Sequence, residues 1–259
     1  MSHLKRIASA LTGILLFCSS AFAGPLLWVG DSDGTLGTVD VATGNATVIG
    51  QMGVTMTDIA FDPSGNLWGI TFGQLYQINS TTAAITLVGN LGTSLNSLVF
   101  GADGTLYGAN SSLFSINTST GVASAIGGGG GYSSSGDLAF IGGNLYLSSS
   151  GATDNLFMLN TTTGVGTLVG SIGYGAVYGL ATDNNIDLYG ITGTNVISIN
   201  TVTGVGSLLV NYAGTDLGVA YGSAFYSESG GETPVPAPAG VLLFGLGLVA
   251  LSRKSWAKR

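Results

Sequence analysis

Two aspartates in the middle of the chain are the residues best placed to do chemistry. Asp58 and Asp137 begin similar apolar segments, DIAF and DLAF. If these segments are equivalent strands around a channel, the two carboxylates could bind a hard cation or act as an acid and base pair. The other interpretation is that each side chain caps a strand end. The equivalent positions, Ser97, Gly179 and Gly218, carry no carboxylate, so the ring of acids is incomplete and capping is favoured.

Two further segments resemble fragments of calcium loops. Asp31 and Asp33 alternate before a glycine, and residues 183–187 read DNNID. Calcium loops alternate oxygen ligands in this way, but neither segment has the bidentate Glu or the full ligand set. Asp and Asn are also common turn residues, so plain turns are the favoured interpretation. A calcium ion is the one cofactor the sequence allows for.

The remaining chemistry is limited by what the chain lacks. No Lys, Arg, His or Cys occurs from residue 24 to residue 252, while all 13 acidic residues lie in this stretch, which therefore has a formal charge of −13. Histidine triads, Schiff-base lysines and thiolate sites are excluded. Nucleic acid is excluded as a partner, because no cation is present to neutralise phosphates. We expect a protein that is not an enzyme, although a carboxylate pair could still serve a glycosidase or a lyase.

A repeat of about 40 residues organises this stretch. An Asp or Asn before a Thr-rich turn and an apolar segment recurs five times, and a Leu-aromatic pair recurs in step with it. The Asp or Asn anchors are Asp40, Asn79, Asn117, Asn160 and Asn200. The aromatic residues of the Leu-aromatic pairs are Trp28, Trp68, Tyr107, Tyr146 and Tyr189. The aromatics could form a sugar-binding array, but recurrence at one structural position favours core packing.

Each repeat contains four short segments of β-forming residues, which is typical of a propeller blade. The pattern is similar to NHL-type and related extracellular propeller repeats. It predicts an all-β fold, a propeller of five four-stranded blades over residues 24–227, closed by pairing of the two ends. Leu217–Tyr221 would supply the innermost strand of the first blade. Residues 224–227 would then be one strand too many, so an open stack or a sixth partial blade stays an alternative.

The N-terminus has the pattern of a secretory signal over residues 1–23. A basic start, an apolar stretch and the A-x-A site at residues 21–23 predict cleavage before Gly24. Export through the inner membrane is therefore expected.

The C-terminus has three parts. A polar linker and a Pro-rich motif occupy residues 228–238, and the apolar run that follows predicts a short hydrophobic helix over residues 239–252. A basic cytoplasmic tail follows at residues 253–259. At about 1.5 Å per residue, the apolar segment is shorter than the roughly 30 Å of hydrocarbon core. Transient association with the inner membrane fits better than a permanent anchor, which stays the alternative.

This order of features resembles the PEP-CTERM sorting signal of exported bacterial proteins. The motif residues are Val235, Pro236, Ala237, Pro238 and Ala239, and the basic tail holds Arg253, Lys254, Lys258 and Arg259. The Glu of the family's motif is replaced by Ala237. The resemblance implies processing near the Pro motif by an exosortase-type enzyme in a Gram-negative bacterium that makes exopolysaccharide.

Together these features predict a non-catalytic protein of the cell surface or the extracellular matrix. It would be a structural or binding module, with exopolysaccharide or surface proteins as partners. The alternatives are a carbohydrate-active enzyme that uses Asp58 and Asp137, and an adhesin stabilised by calcium.

Overall fold

A computed structural model describes residues 24–229 as twenty strands in five antiparallel sheets of four strands. Blade 1 holds β1 (Leu26–Asp31), β2 (Thr35–Asp40), β3 (Ala46–Gln51) and the last strand, β20 (Ala220–Phe225). Blade 2 holds β4 (Asp58–Phe61), β5 (Leu67–Ile70), β6 (Gln74–Ile78) and β7 (Ile85–Asn90). Blade 3 holds β8 (Ser97–Phe100), β9 (Leu106–Ala109), β10 (Leu113–Ile116) and β11 (Ala123–Ile126). Blade 4 holds β12 (Ser134–Ile141), β13 (Asn144–Ser149), β14 (Asn155–Leu159) and β15 (Gly166–Ser171). Blade 5 holds β16 (Val177–Ala181), β17 (Leu188–Thr192), β18 (Asn195–Ile199) and β19 (Gly206–Asn211).

The five blades form a closed ring. The inner strands β4, β8, β12, β16 and β20 contact one another in that order, and β20 contacts β4. The prediction of a five-bladed propeller is therefore confirmed. We call the face with the loops between inner and second strands the lower face, and the opposite one the upper face.

The ring closes through a strand that begins later than predicted. The closing strand is β20, with Phe225 opposite Leu27, and not Leu217–Tyr221. Within the described residues no additional strand follows β20, since Tyr226–Ser229 form a turn. Phe225 thereby takes the place that Phe61 has in blade 2. Gly222 then lies against the inner strand of blade 2, where a Cβ would be 2.5 Å from the Cα of Asp58.

The Asp or Asn anchors of the repeat build one identical turn in every blade. In each, a side-chain oxygen accepts hydrogen bonds from the backbone N–H groups two and three residues later, at 2.9–3.1 Å. The fifth residue has a positive φ; it is Gly in four blades and Ala83 in blade 2. The Thr-rich sequences are thus hairpin turns, as the pattern predicts.

These turns fit against a glycine of the preceding blade. Gly89 in β7 faces the carbonyl oxygen of Thr120, and Gly170 in β15 faces that of Thr203, with no room for a Cβ. Gly127 in blade 3 is placed in the same way, and Gly50 in blade 1 faces Thr82 with slightly more space, since a Cβ there would lie 3.0 Å from the carbonyl oxygen. Only at the junction of blades 5 and 1 does a larger residue, Val210, occupy the position.

The recurring aromatics lie between blades. Trp28 packs against Phe61 with ring centroids 5.3 Å apart, and Tyr189 packs against Phe225 at 5.1 Å. The pairs Trp68–Phe100 and Tyr107–Phe140 repeat this contact. At the fourth junction Tyr146 is buried but the partner position holds Thr182. These contacts agree with the core interpretation of the five aromatics.

Candidate functional site

The narrowest level of the channel is lined by one residue from each inner strand. Blade pairing places Asp58, Ser97, Asp137, Gly179 and Gly222 at equivalent positions. The fifth member is therefore Gly222, not Gly218, because the closing strand begins later than predicted. All five are buried, and both aspartates are 0% exposed.

Each channel carboxylate links two neighbouring blades. Asp58 accepts hydrogen bonds from its neighbour Ile59 N–H at 2.8 Å and from Leu98 N–H of blade 3 at 2.6 Å. Asp137 does the same with Leu138 N–H and with Leu180 N–H of blade 5, both at 2.6 Å. The carboxylates thus satisfy amides at the inner ends of adjacent strands, as the capping interpretation predicts.

The two carboxyl groups also contact each other. Burial raises the pKa of both well above the ordinary value for Asp, and the approach of Asp137 raises the pKa of Asp58 further. The hydrogen bond from Asp58 acts in the opposite direction on the pKa of Asp137. The two carboxyl groups therefore titrate as one coupled pair that can share a proton between them. No cation balances this charge within residues 24–229, because that stretch has no basic side chain.

This burial bears on the two roles considered for the pair. A general acid or base must lie within hydrogen-bonding distance of the group it protonates or deprotonates. Neither Asp58 nor Asp137 is accessible, and their oxygens already accept backbone amides. The geometry supports a role in holding the ring together.

The two calcium-like segments form turns. Asp31 accepts hydrogen bonds from Asp33 N–H, from Thr35 N–H and, across the closing seam, from Gly218 N–H, while Asp33 itself is exposed. In the second segment Asn184 accepts from the N–H groups of Ile186 and Asp187. Among the residues described, no three acidic, His or Cys side chains gather as a metal site would require. The expectation of no cofactor, with calcium as the one possible exception, stays a prediction.

The turn after β20 folds back over the lower end of the channel. The Glu228 carboxylate accepts hydrogen bonds from Phe61 N–H and Phe225 N–H, both at 3.2 Å. Burial, and then the charge of Asp137, raises the pKa of Glu228 well above its ordinary value. Glu228, which the sequence analysis assigned to the linker, thus joins the inner strands of blades 1 and 2.

The upper end of the channel opens into a pocket of about 310 Å³. Each of its five inner-strand positions lies one residue before the buried ring: Thr57, Asn96, Gly136, Tyr178 and Tyr221. Phe72 and Ser135 complete the lining. We call this pocket the upper mouth.

Three aromatics give the upper mouth its character. Tyr178 and Tyr221 pack edge to face with centroids 5.7 Å apart, and Phe72 is 62% exposed on the loop after β5. The Asn96 amide donates to the carbonyl oxygen of Ser134, but its buried side-chain oxygen has no partner among the described residues. No charged side chain lines the pocket as described.

The sequence contained a signal for this site that repeat alignment exposes. The other blades have Ser32, Ser111, Ser150 and Gly193 where blade 2 has Phe72. In the same way, Tyr178 and Tyr221 replace small or polar residues of the other three blades. Aromatics that recur in every blade support the core, whereas these three occur outside the repeat pattern. Phe72 is exposed and the two tyrosines are half-buried.

The predicted sorting motif, Val235 to Ala239, and the basic tail from Arg253 to Arg259 lie outside the described residues. The signal segment, the predicted C-terminal helix and Ala237 lie outside them too. Residues 24–229 include no helix with the length and apolar character needed to cross a membrane.

No family model and no curated protein matches this sequence. The fold is similar to a structure from work on the de novo evolutionary emergence of a symmetrical protein, with 18% identity and a TM-score of 0.49 over 79% of this chain and 95% of that chain. It is also similar to a gluconolactonase from Xanthomonas campestris, with 15% identity and a TM-score of 0.49 over 77% and 79% of the two chains. A protein of unknown function from Bacteroides caccae has 14% identity and a TM-score of 0.44 over 74% and 75%. These likenesses carry no argument about activity.

Proposed function

We propose that this chain is an exported, non-catalytic propeller that binds neutral glycans of the extracellular matrix or cell surface through its upper mouth. The observation that carries the proposal is that the carboxylates and the open pocket lie at different levels of the channel. The carboxylates Asp58 and Asp137 are buried in contacts between blades, while the open end above them is aromatic and amide-lined. That lining suits binding without bond cleavage.

The chemistry of the mouth favours a sugar as the ligand. The exposed ring of Phe72 offers an apolar face to the C–H face of a pyranose. Both tyrosines carry hydroxyl groups that can donate or accept hydrogen bonds. The cavity is at the small end of the usual range for ligand pockets, about 300–1,000 Å³, which suits one or two sugar units.

The charge of the domain selects among glycans. No Lys or Arg is present between residues 24 and 252 to pair with a uronate or sulfate group. The buried acid pair beneath the mouth and the net negative charge both repel anions. We therefore propose neutral polymers as the partners, and not polyuronates.

Replacing Phe72 with alanine should weaken binding of a neutral oligosaccharide by about fivefold, since aromatic contacts contribute about 0.5–1.5 kcal/mol beyond buried area. Isothermal titration calorimetry with cellohexaose and maltohexaose measures this. Val202→Ala, which changes a residue 81% exposed on an outer turn, is the control and should bind normally. The site would be refuted if the anionic oligogalacturonate or the cation choline bound more tightly than the neutral oligosaccharides. Equal loss of affinity in both variants would also refute it.

The proposal that the protein is non-catalytic has its own test. Neutral polysaccharides incubated with the protein should keep their chain length. Depolymerisation that disappears in the double variant Asp58→Asn, Asp137→Asn would establish the enzyme alternative instead.

Sorting by the C-terminal signal is the other half of the proposal, and its support is the tripartite tail. Mass spectrometry of the exported protein should find a C-terminus near the Pro236–Pro238 motif and no peptide that contains Arg259. A chain that ends at residue 232 should be exported but lost from the exopolysaccharide fraction. An exported protein with Arg259 intact would leave the plain membrane anchor as the explanation.

A further inference from the structure

The first repeat departs from the others at its turn anchor. Asp40 stands where the other four blades have Asn79, Asn117, Asn160 and Asn200. One oxygen of Asp40 accepts from the N–H groups of Ala42 and Thr43, which is the bond pattern that asparagine provides elsewhere. The turn therefore does not explain why this anchor carries a charge.

The second oxygen of Asp40 faces the start of the domain. It accepts a hydrogen bond from the backbone nitrogen of Gly24 at 3.1 Å, and the carbonyl of Pro25 accepts from Val41 N–H at 3.1 Å. Asp40 is only 9% exposed. A Cβ on Gly24 would lie 2.7 Å from the Cβ of Ala42 and 2.8 Å from a carboxylate oxygen of Asp40, so the place is shaped for glycine.

We infer that Asp40 is a binding site for the α-ammonium group that leader removal creates at Gly24. Hydrolysis of the Ala23–Gly24 bond adds water, with OH going to the Ala23 carbonyl and H to the Gly24 nitrogen, and the new amine takes a proton from solvent. An α-amino group has a pKa of about 7.7–8.0, and a nearby carboxylate favours its charged form. The inference rests on the proposed export of the chain with cleavage after Ala23.

The resulting ion pair lies in the one blade without a covalent link between its inner and second strands. In blades 2 to 5 a hairpin loop joins these strands, whereas blade 1 takes β20 from one end of the domain and β1 from the other. Within residues 24–229 the pair of Gly24 and Asp40 would be the only ion pair, because no side chain there is basic. It therefore secures the start of β1 only after processing, so that the precursor has a looser ring than the mature protein.

The test compares four proteins that all extend to the natural C-terminus. Two begin at Gly24 and two begin at Ala23, and one protein of each pair carries Asp40→Asn. Asparagine serves at this position in four blades, so the variant should fold. We expect Asp40→Asn to lower the Tm by about 2–4 °C in the chain that begins at Gly24 and by less than half of that when Ala23 remains. The difference should shrink in 0.5 M NaCl.

The control is Asn79→Asp, which places a carboxylate in the equivalent turn of blade 2, far from the terminus; its effect should be the same with and without Ala23. Equal effects of Asp40→Asn in both backgrounds would overturn the inference. N-terminal sequencing of the exported protein separates this failure from failure of the proposed export. A start at Gly24 with equal effects refutes only the ion pair, whereas a start elsewhere, or no export, removes its premise.

Discussion

Replacing Gly89 with alanine is expected to lower the free energy of unfolding by about 1–3 kcal/mol, the range for overpacking a tight contact. The new methyl group would meet the carbonyl oxygen of Thr120 in the turn of the next blade. Both groups are backbone-anchored, so relief requires moving one blade away from its neighbour. Urea denaturation monitored by tryptophan fluorescence gives the free energy, and a melt should show a lower Tm.

Gly73 provides the matched comparison. Like Gly89 it has no positive φ, but a Cβ added to it meets nothing within 4 Å. Gly73→Ala should therefore be neutral or slightly stabilising, since it lowers the entropy of the unfolded chain. Equal stabilities of the two variants would show that the glycine contact between blades tolerates a side chain.

The stability of the domain should fall as the pH rises above about 4.5, where unfolded Asp and Glu have lost their protons. Asp58, Asp137 and Glu228 have folded-state pKa values raised by burial, whereas unfolded Asp and Glu titrate near 3.9 and 4.3. The folded state thus binds more protons, so the stabilisation is complete below the unfolded pKa and is lost as the pH rises through the folded one. Each unit of difference corresponds to about 1.4 kcal/mol. Denaturation curves at several pH values measure the slope.

Asp58→Asn identifies the source of this slope. The amide stays neutral at every pH and can keep one of the two backbone acceptor contacts, so the slope should be shallower than in the unmodified protein. Repulsion among the remaining acids will leave part of it. Asp103→Asn, which removes an exposed carboxylate whose pKa is lowered by contacts with Thr105, should leave the slope above pH 4.5 unchanged. Stability that rises with pH would contradict the raised pKa values of the coupled pair.

The repeat made the ring predictable because each anchor has a local cause. The Asp40 and Asn79 turns need one side-chain oxygen and one residue with positive φ, and both requirements are visible in sequence. Blade number and closure by the two ends followed from counting these anchors.

The closing strand was harder to place because its residues give a weak pattern. In AYGSAF, small side chains fill the inner positions, so alternation does not fix the register. Phe225 was the available signal, since Phe61, Phe100 and Phe140 hold the equivalent position in three other inner strands. The upper mouth was missed for another reason. Tyr178, Tyr221 and Phe72 are far apart in sequence, and only ring closure brings them together.

The direction in which the chain leaves the ring decides how the protein would be displayed. Ser229 lies with Glu228 at the lower face, and Gly24 begins beside the lower-face turn of Asp40. Phe72 and the two tyrosines open on the other side. A surface that holds the chain by residues after 229 would thus present rows of mouths pointing outward. When several linked mouths bind one polymer, the overall affinity can exceed that of a single site by about 10²–10⁴-fold. A shallow pocket would therefore suffice for firm attachment to a long glycan.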